Sequence, residues 1–133
     1  MSQTSKAIAE KFIRALGRGD AETVKSLITD DIVAVCTGTS AVSGTRGYAE
    51  VVGACDIFKQ IMKDGIKFDL ISTTAEEDRV SMEMRGHSEL VNGAAYNNEY
   101  HFLFTIRDGR VCRIKEYIDT KLADQVLAPL FAG

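Results

Sequence analysis

Apolar residues recur every third or fourth position over residues 6–16, where Ile8, Phe12 and Leu16 stand at four-residue spacing with Ala9 and Ile13 beside them. That period marks one face of an α-helix, and Gly17 ends it. Asp20 then stands as an N-cap before a second short helix over 21–27, which Asp30-Asp31 closes. Residues 32–36 form a β-branched, apolar run and predict a strand. A connection rich in Gly, Ser and Thr follows over 37–47. Val51, Val52, Cys55, Phe58, Ile61 and Met62 return to the helical period over 48–63, and Asp64-Gly65 stops that third helix.

From residue 67 onward the period changes to two. Strands are predicted over 67–75, 79–90, 96–107 and 110–119, joined at Glu76-Glu77-Asp78, Asn92-Gly93 and Asp108-Gly109. Asn-Gly and Asp-Gly accept the positive φ angles that tight hairpins demand, so the four strands read as an antiparallel meander. A last helix spans 120–127 and is interrupted near Pro129. Helices first and a meander afterwards indicate an α+β layer fold with the helices on one face. Strands longer than the usual five or six residues twist and curl. The expected fold is a curved antiparallel sheet wrapped around the N-terminal helices, a cone with an apolar pocket.

Composition narrows the function classes. At 133 residues, with 45% hydrophobic and 26% charged residues and neither repeat nor linker, the chain reads as one domain spanning 1–133. The net charge is −3 and no basic stripe is present, which argues against nucleic acid as a partner. No apolar run approaches the roughly 20 residues of a membrane span, and residues 1–10 lack the apolar stretch of a signal peptide, so no membrane is implied and a cytoplasmic location is expected. Cys36, Cys55 and Cys112 form no CxxC pair and suggest neither a disulfide framework nor a zinc site. No metal-ligand spacing, GxGxxG or phosphate loop occurs, and no cofactor is expected.

Alternation along the strands sorts the side chains. On the last strand Cys112, Ile114, Glu116 and Ile118 share a face that is apolar except for one carboxylate, while Arg113, Lys115, Tyr117 and Asp119 share the other. On the strand before it, the candidate inward row is Tyr96, Asn98, Tyr100, Phe102, Phe104 and Ile106, polar at one end and apolar at the other. The 79–90 strand offers two rows. Hydropathy alone buries Val80, Met82, Met84 and Leu90, and leaves Glu83, Arg85 and His87 in water.

The order of elements, together with Met84-Arg85-Gly86, Tyr96-Asn97-Asn98-Glu99-Tyr100, Phe102-x-Phe104, Arg107-Asp108-Gly109-Arg110-Val111 and Lys115-Glu116-Tyr117-Ile118-Asp119-Thr120, resembles the nuclear transport factor-like fold and, within it, the SnoaL-like branch. That branch includes polyketide cyclases, ketosteroid isomerases and limonene epoxide hydrolase. The resemblance implies that the Arg85 and His87 row faces the pocket, and that the Met row packs against something else. A second copy on the outer face of the sheet, giving a homodimer, would cover it.

On that footing Arg85 and Glu116 meet across the pocket, with Tyr100 and Asn98 as hydrogen-bonding neighbours. Functionally, Glu116 transfers protons, Arg85 and Tyr100 steady charge developing on a carbonyl, Asn98 orients the substrate and His87 assists. The competing reading is a buried ion pair that only satisfies itself. Phe12, Phe58, Met62, Phe102 and Ile118 supply apolar walls for a small apolar molecule. His101 is assigned to the surface or to an interface, and Asp119 to capping the last helix.

Two family chemistries lack their residues. The run Val33-Ala34-Val35-Cys36-Thr37 has no carboxylate where the resemblance to ketosteroid isomerases calls for an aspartate base. The Arg-x-Asp and Tyr-x-Asn sets of the epoxide hydrolase are not reproduced, since Glu83-x-Arg85-x-His87 and Glu116 stand instead. The cyclase branch, which needs one acid-base carboxylate in an apolar cup, fits with least change. The expected function is cofactor-independent cyclase, isomerase or dehydratase chemistry on an apolar carbonyl or polyketide-like compound, the alternative being a non-catalytic ligand-binding or dimerisation module.

Overall fold

The computed structural model describes residues 2–131. The chain enters through α1 (Ser2–Arg18), four residues earlier than the apolar period alone marks, because the first turn is polar. Ala9, Phe12, Ile13 and Ala15 form its buried side. Helix α2 (Ala21–Leu27) is capped by Asp20, whose carboxylate accepts from the Thr23 N–H at 3.1 Å and the Thr23 hydroxyl at 2.6 Å. The first strand, β1 (Ile28–Cys36), follows without a break. Asp30 and Asp31 therefore lie inside the strand and do not close the helix; both point to solvent, and Asp31 accepts from Arg107 at 2.6 Å.

A three-residue strand, β2 (Gly44–Arg46), lies within the stretch that composition assigns to a connection. Helix α3 (Tyr48–Ile61) comes next, then the meander β3 (Lys67–Glu76), β4 (Arg79–His87), β5 (Asn98–Arg107) and β6 (Arg110–Ile118), and finally α4 (Thr120–Phe131). Pro129 sits inside α4 and does not end it.

The six strands form one sheet in the order β2-β1-β6-β5-β4-β3. All pairs are antiparallel except β1 with β6, which run parallel and join the two halves of the chain. The positive φ angles at Asp108 and Gly109 make the β5–β6 turn the tight hairpin its sequence predicts. Asn92-Gly93 does something different. It turns the tip of a connection over 88–97 that folds back on itself, with Leu90 N–H to Ala94 O at 2.8 Å and Tyr96 N–H to Ser88 O at 2.8 Å. That connection also docks on the end of α3 through Val91 N–H to Ile61 O at 2.9 Å. Consequently β4 stops at His87 and β5 starts at Asn98, both shorter than the alternation suggests.

Register decides which faces turn inward, since directly paired residues share a face. Met84 pairs with Tyr100 and Tyr100 with Ile118; Met82 pairs with Phe102 and Phe102 with Glu116; Glu116 in turn pairs with Cys36. All of these side chains line the concave side. Phe12 of α1 packs edge-to-face on Phe104 with ring centres 5.9 Å apart, so the helices cover this side. Met82 and Met84 are fully buried there. The expectation that the Met row packs on a second subunit is thus corrected, and with it the apolar outer face from which a homodimer was argued. The outer face instead carries Glu83, Arg85, His87, Glu99 and His101, all exposed.

Candidate functional site

Between the concave sheet, α1 and α3 lies a cavity of about 240 Å³. Its walls are apolar: Phe12 and Leu16 from α1, Phe58, Ile61 and Met62 from the end of α3, Phe68, Phe102 and Ile114 from the sheet, and Leu127 from α4. Four groups with chemistry break that wall, namely Glu116, Tyr96, Tyr100 and Cys36. Arg46 and Glu50 stand at the side formed by β2 and the start of α3.

Glu116 reaches the cavity because alternation on β6 turns it inward between Ile114 and Ile118. It is half-buried and lines the cavity. Burial raises its carboxyl above the ordinary glutamate value, with the Cys36 thiol and the more distant Arg46 guanidinium pulling the other way. Cys36, its cross-strand neighbour, is a weak donor that also approaches the Thr37 carbonyl at 4.0 Å. Burial first and the Glu116 charge second push this thiol up to about 12, so it is not a nucleophile at neutral pH.

Tyr100 lies on the inner face of β5 with its ring against Gly86. A Cβ at position 86 would stand 2.6 Å from the Tyr100 ring and 3.0 Å from Ile66, so only glycine leaves room for this placement. Burial holds the Tyr100 phenol well above its ordinary value, reinforced by Tyr96 beside it. Tyr96 is raised too, again mainly by burial. Both phenols therefore keep their protons and act as donors.

Asn98 is 2% exposed and does not touch the cavity. It sits behind Tyr96, giving one amide hydrogen to the Tyr96 hydroxyl at 2.8 Å and the other to the Asp119 carbonyl at 3.1 Å. The assignment of Asn98 as a substrate contact is corrected accordingly.

Of the residues singled out from the sequence, the fold brings Glu116, Tyr100, Phe12, Phe58, Met62, Phe102 and Ile118 together around one cavity. Arg85 and His87 are not among them. Arg85 pairs loosely with Glu99 at 3.7 Å and His87 with Asp69 at 2.9 Å, all on the solvent face. The physical reason is the β4–β5 register, which places even-numbered residues of both strands on the same side. Arg85 and Glu116 do not meet, and Glu116 loses the partner that would have lowered its pKa. Two polar lining groups, Arg46 and Glu50, are not marked by the sequence pattern. Arg46 rides on the short β2, opposite Ala34, where no hydropathy signal marks a strand. Tyr96 does line the cavity, as its place in the inward row predicts, but the 88–97 connection and not a strand carries it.

Among the described residues no group of His, Cys, Asp and Glu has an arrangement that could hold a metal ion, and no helix is long and apolar enough to cross a membrane.

The curved six-stranded sheet with helices packed on its concave side defines a small α+β fold. Residues 9–114 match the SnoaL-like domain family, and the chain belongs to it. No curated protein matches the sequence. Among solved structures, PrhC from Penicillium brasilianum is 21% identical with a TM-score of 0.86, the alignment covering 98% of this chain and 90% of that one. Bal32a from a soil-derived mobile gene cassette is 19% identical with a TM-score of 0.80, over 93% and 96% of the two chains. An LEH-like epoxide hydrolase from M. tuberculosis is 18% identical with a TM-score of 0.74, over 98% and 97%. At these identities the similarity is one of fold.

Proposed function

We propose that the cavity takes a small apolar carbonyl compound, polyketide-like in character, and that Glu116 moves a proton on it, as in a cyclase, isomerase or dehydratase. The observation that carries this reading is the enclosed Glu116 carboxylate, which faces an apolar cavity in company with two phenols that retain their protons. Burial makes Glu116 a stronger base than an exposed glutamate. A carbon acid next to a carbonyl gives up its proton to Glu116, and the negative charge left on the carbonyl oxygen is met by Tyr96 and Tyr100 as donors. Proton transfer of this kind calls for no cofactor. Phe12, Phe58, Met62, Phe102 and Ile118 select for volume and apolarity. Arg85 and His87 have no part in this reading.

Epoxide hydrolysis is less well supported. It calls for a second acid beside the first, and Glu50, the other carboxylate at the cavity, is exposed at its edge. A homodimer through the outer face of the sheet belongs to the same proposal only through the exposed Tyr117, and light scattering on the purified protein checks it.

Native mass spectrometry of the protein as purified tests for a retained small molecule. Hydrogen–deuterium exchange at the carbon next to the carbonyl of cyclic ketones such as cyclohexanone, followed by NMR in D2O, tests the chemistry without knowledge of the substrate. The wild type accelerates exchange, and Glu116→Gln lowers that rate about a hundredfold or more while still binding the ketone. Exchange undiminished in Glu116→Gln overturns the assignment of Glu116. Binding without exchange in the wild type makes the protein a ligand-binding module.

A further inference from the structure

Asn98 uses every hydrogen-bonding position it has. Its two amide hydrogens go to the Tyr96 hydroxyl at 2.8 Å and the Asp119 carbonyl at 3.1 Å, and its carbonyl oxygen accepts from the Asp119 N–H at 3.1 Å and the Glu99 N–H at 2.7 Å. One side of this amide looks at the cavity group Tyr96. The other grips the backbone of Asp119 from both directions, and Asp119 is where α4 begins. The Asp119 side chain caps that helix through the Leu122 N–H at 3.1 Å, and its carbonyl accepts the Ala123 N–H at 3.1 Å. Further along, α4 places Leu127 in the cavity wall.

We propose that Asn98 is a positioning residue, whose single amide both aims the Tyr96 hydroxyl into the cavity and seats α4 against it. Because Asn98 donates to Tyr96, the phenol oxygen is occupied as an acceptor and its own proton is left for a ligand that accepts hydrogen bonds. The same amide fixes the start of the helix that completes the wall, so donor direction and wall position are set together. This rests on the reading of the cavity as a site for such a ligand.

Asn98→Asp keeps the shape and both acceptor bonds but removes the two donors. The new carboxylate draws the Tyr96 proton toward itself and away from the cavity, and the Asp119 carbonyl loses its side-chain partner. Protein carrying tyrosine labelled with 13C at Cζ, with Tyr96 assigned through Tyr96→Phe, reports the first effect; amide hydrogen exchange of α4 reports the second. The expected result is a shifted Tyr96 resonance that titrates at higher pH than in the wild type, together with exchange about fivefold to tenfold faster in α4 and unchanged in β3 and β4. Exchange that accelerates equally in α4 and the sheet, or a Tyr96 resonance that does not move, overturns the proposal and leaves Asn98 an ordinary buried amide. Asn98→Ser, whose hydroxyl falls short of Tyr96 and Asp119, is read by helix exchange and the Tyr96 resonance in the same way if Asn98→Asp does not fold. Neither readout uses a ligand, so failure of the ketones to bind counts against the proposed function alone.

Discussion

Glu116 illustrates a conflict between stability and chemistry inside one side chain. Its carboxyl is raised in the folded protein, so between the unfolded and folded pKa values the native state holds more protons than the unfolded chain. Stability from this group is therefore present at low pH and is lost as pH rises through the folded pKa, the reverse of an ion-paired carboxylate. Glu116→Gln removes the charge without changing the shape. It is expected to raise stability by about 1 kcal/mol at pH 8 and by little at pH 4, as measured by urea unfolding at both pH values. Ketone exchange by the wild type follows the ionised form, so its acid limb falls above 4.5, the ordinary glutamate value, and a pH–rate profile checks it. A limb at or below that value speaks against an enclosed base.

At the scale of the element, β4 shows what alternation alone leaves undecided. A strand with a Met row and a charged row has two ways to face, and the pairing with β5 chooses between them. Tyr100 and Glu116 inside require Met82 and Met84 inside, since the pairs Met84–Tyr100 and Met82–Phe102 are continuous with Tyr100–Ile118 and Phe102–Glu116. Met82→Ala is expected to cost about 2–4 kcal/mol, whereas Arg85→Ala changes stability by about 0.5 kcal/mol at most and leaves ketone exchange intact; denaturation and the exchange assay measure both. Equal costs for the two would contradict the register.

The helices, the Asp108-Gly109 hairpin and the inward direction of Glu116 were all legible in the sequence because each rests on a local period or a turn residue. What was not legible rests on pairings between distant segments. β2 is too short to show a period, the two ends of the 88–97 connection continue the strand alternation on either side of Asn92-Gly93 until their backbone bonds are known, and the contact of Arg46 with the cavity exists only through the pairing of β2 with β1.

For the molecule as a whole, the cavity is space that a better-packed core would have filled, since the surrounding core is otherwise tightly buried. A bound apolar molecule recovers those contacts and stabilises only the folded state. A ketone at about a hundred times its Kd is expected to add about 2.7 kcal/mol and to raise Tm by roughly 10 °C in a scanning experiment. No rise at saturation would mean that the ketone does not enter the folded protein.

The parallel pairing of β1 with β6 bears on how the chain reaches this state. Cys36 and Glu116 are neighbours across strands but lie about eighty positions apart along the backbone. In chain order β1 precedes β6 and has only the short β2 on its other side, so one edge of β1 stays open until β6 pairs with it. The hairpins β3–β4 and β5–β6 close short loops, whereas the β1–β6 pairing beside Glu116 closes a long one and carries the larger entropic cost. A chain cut before β6 is expected to leave β1 with an open edge and the hollow unbuilt on that side, so that it loses cooperative unfolding, which urea titration of the shortened protein checks.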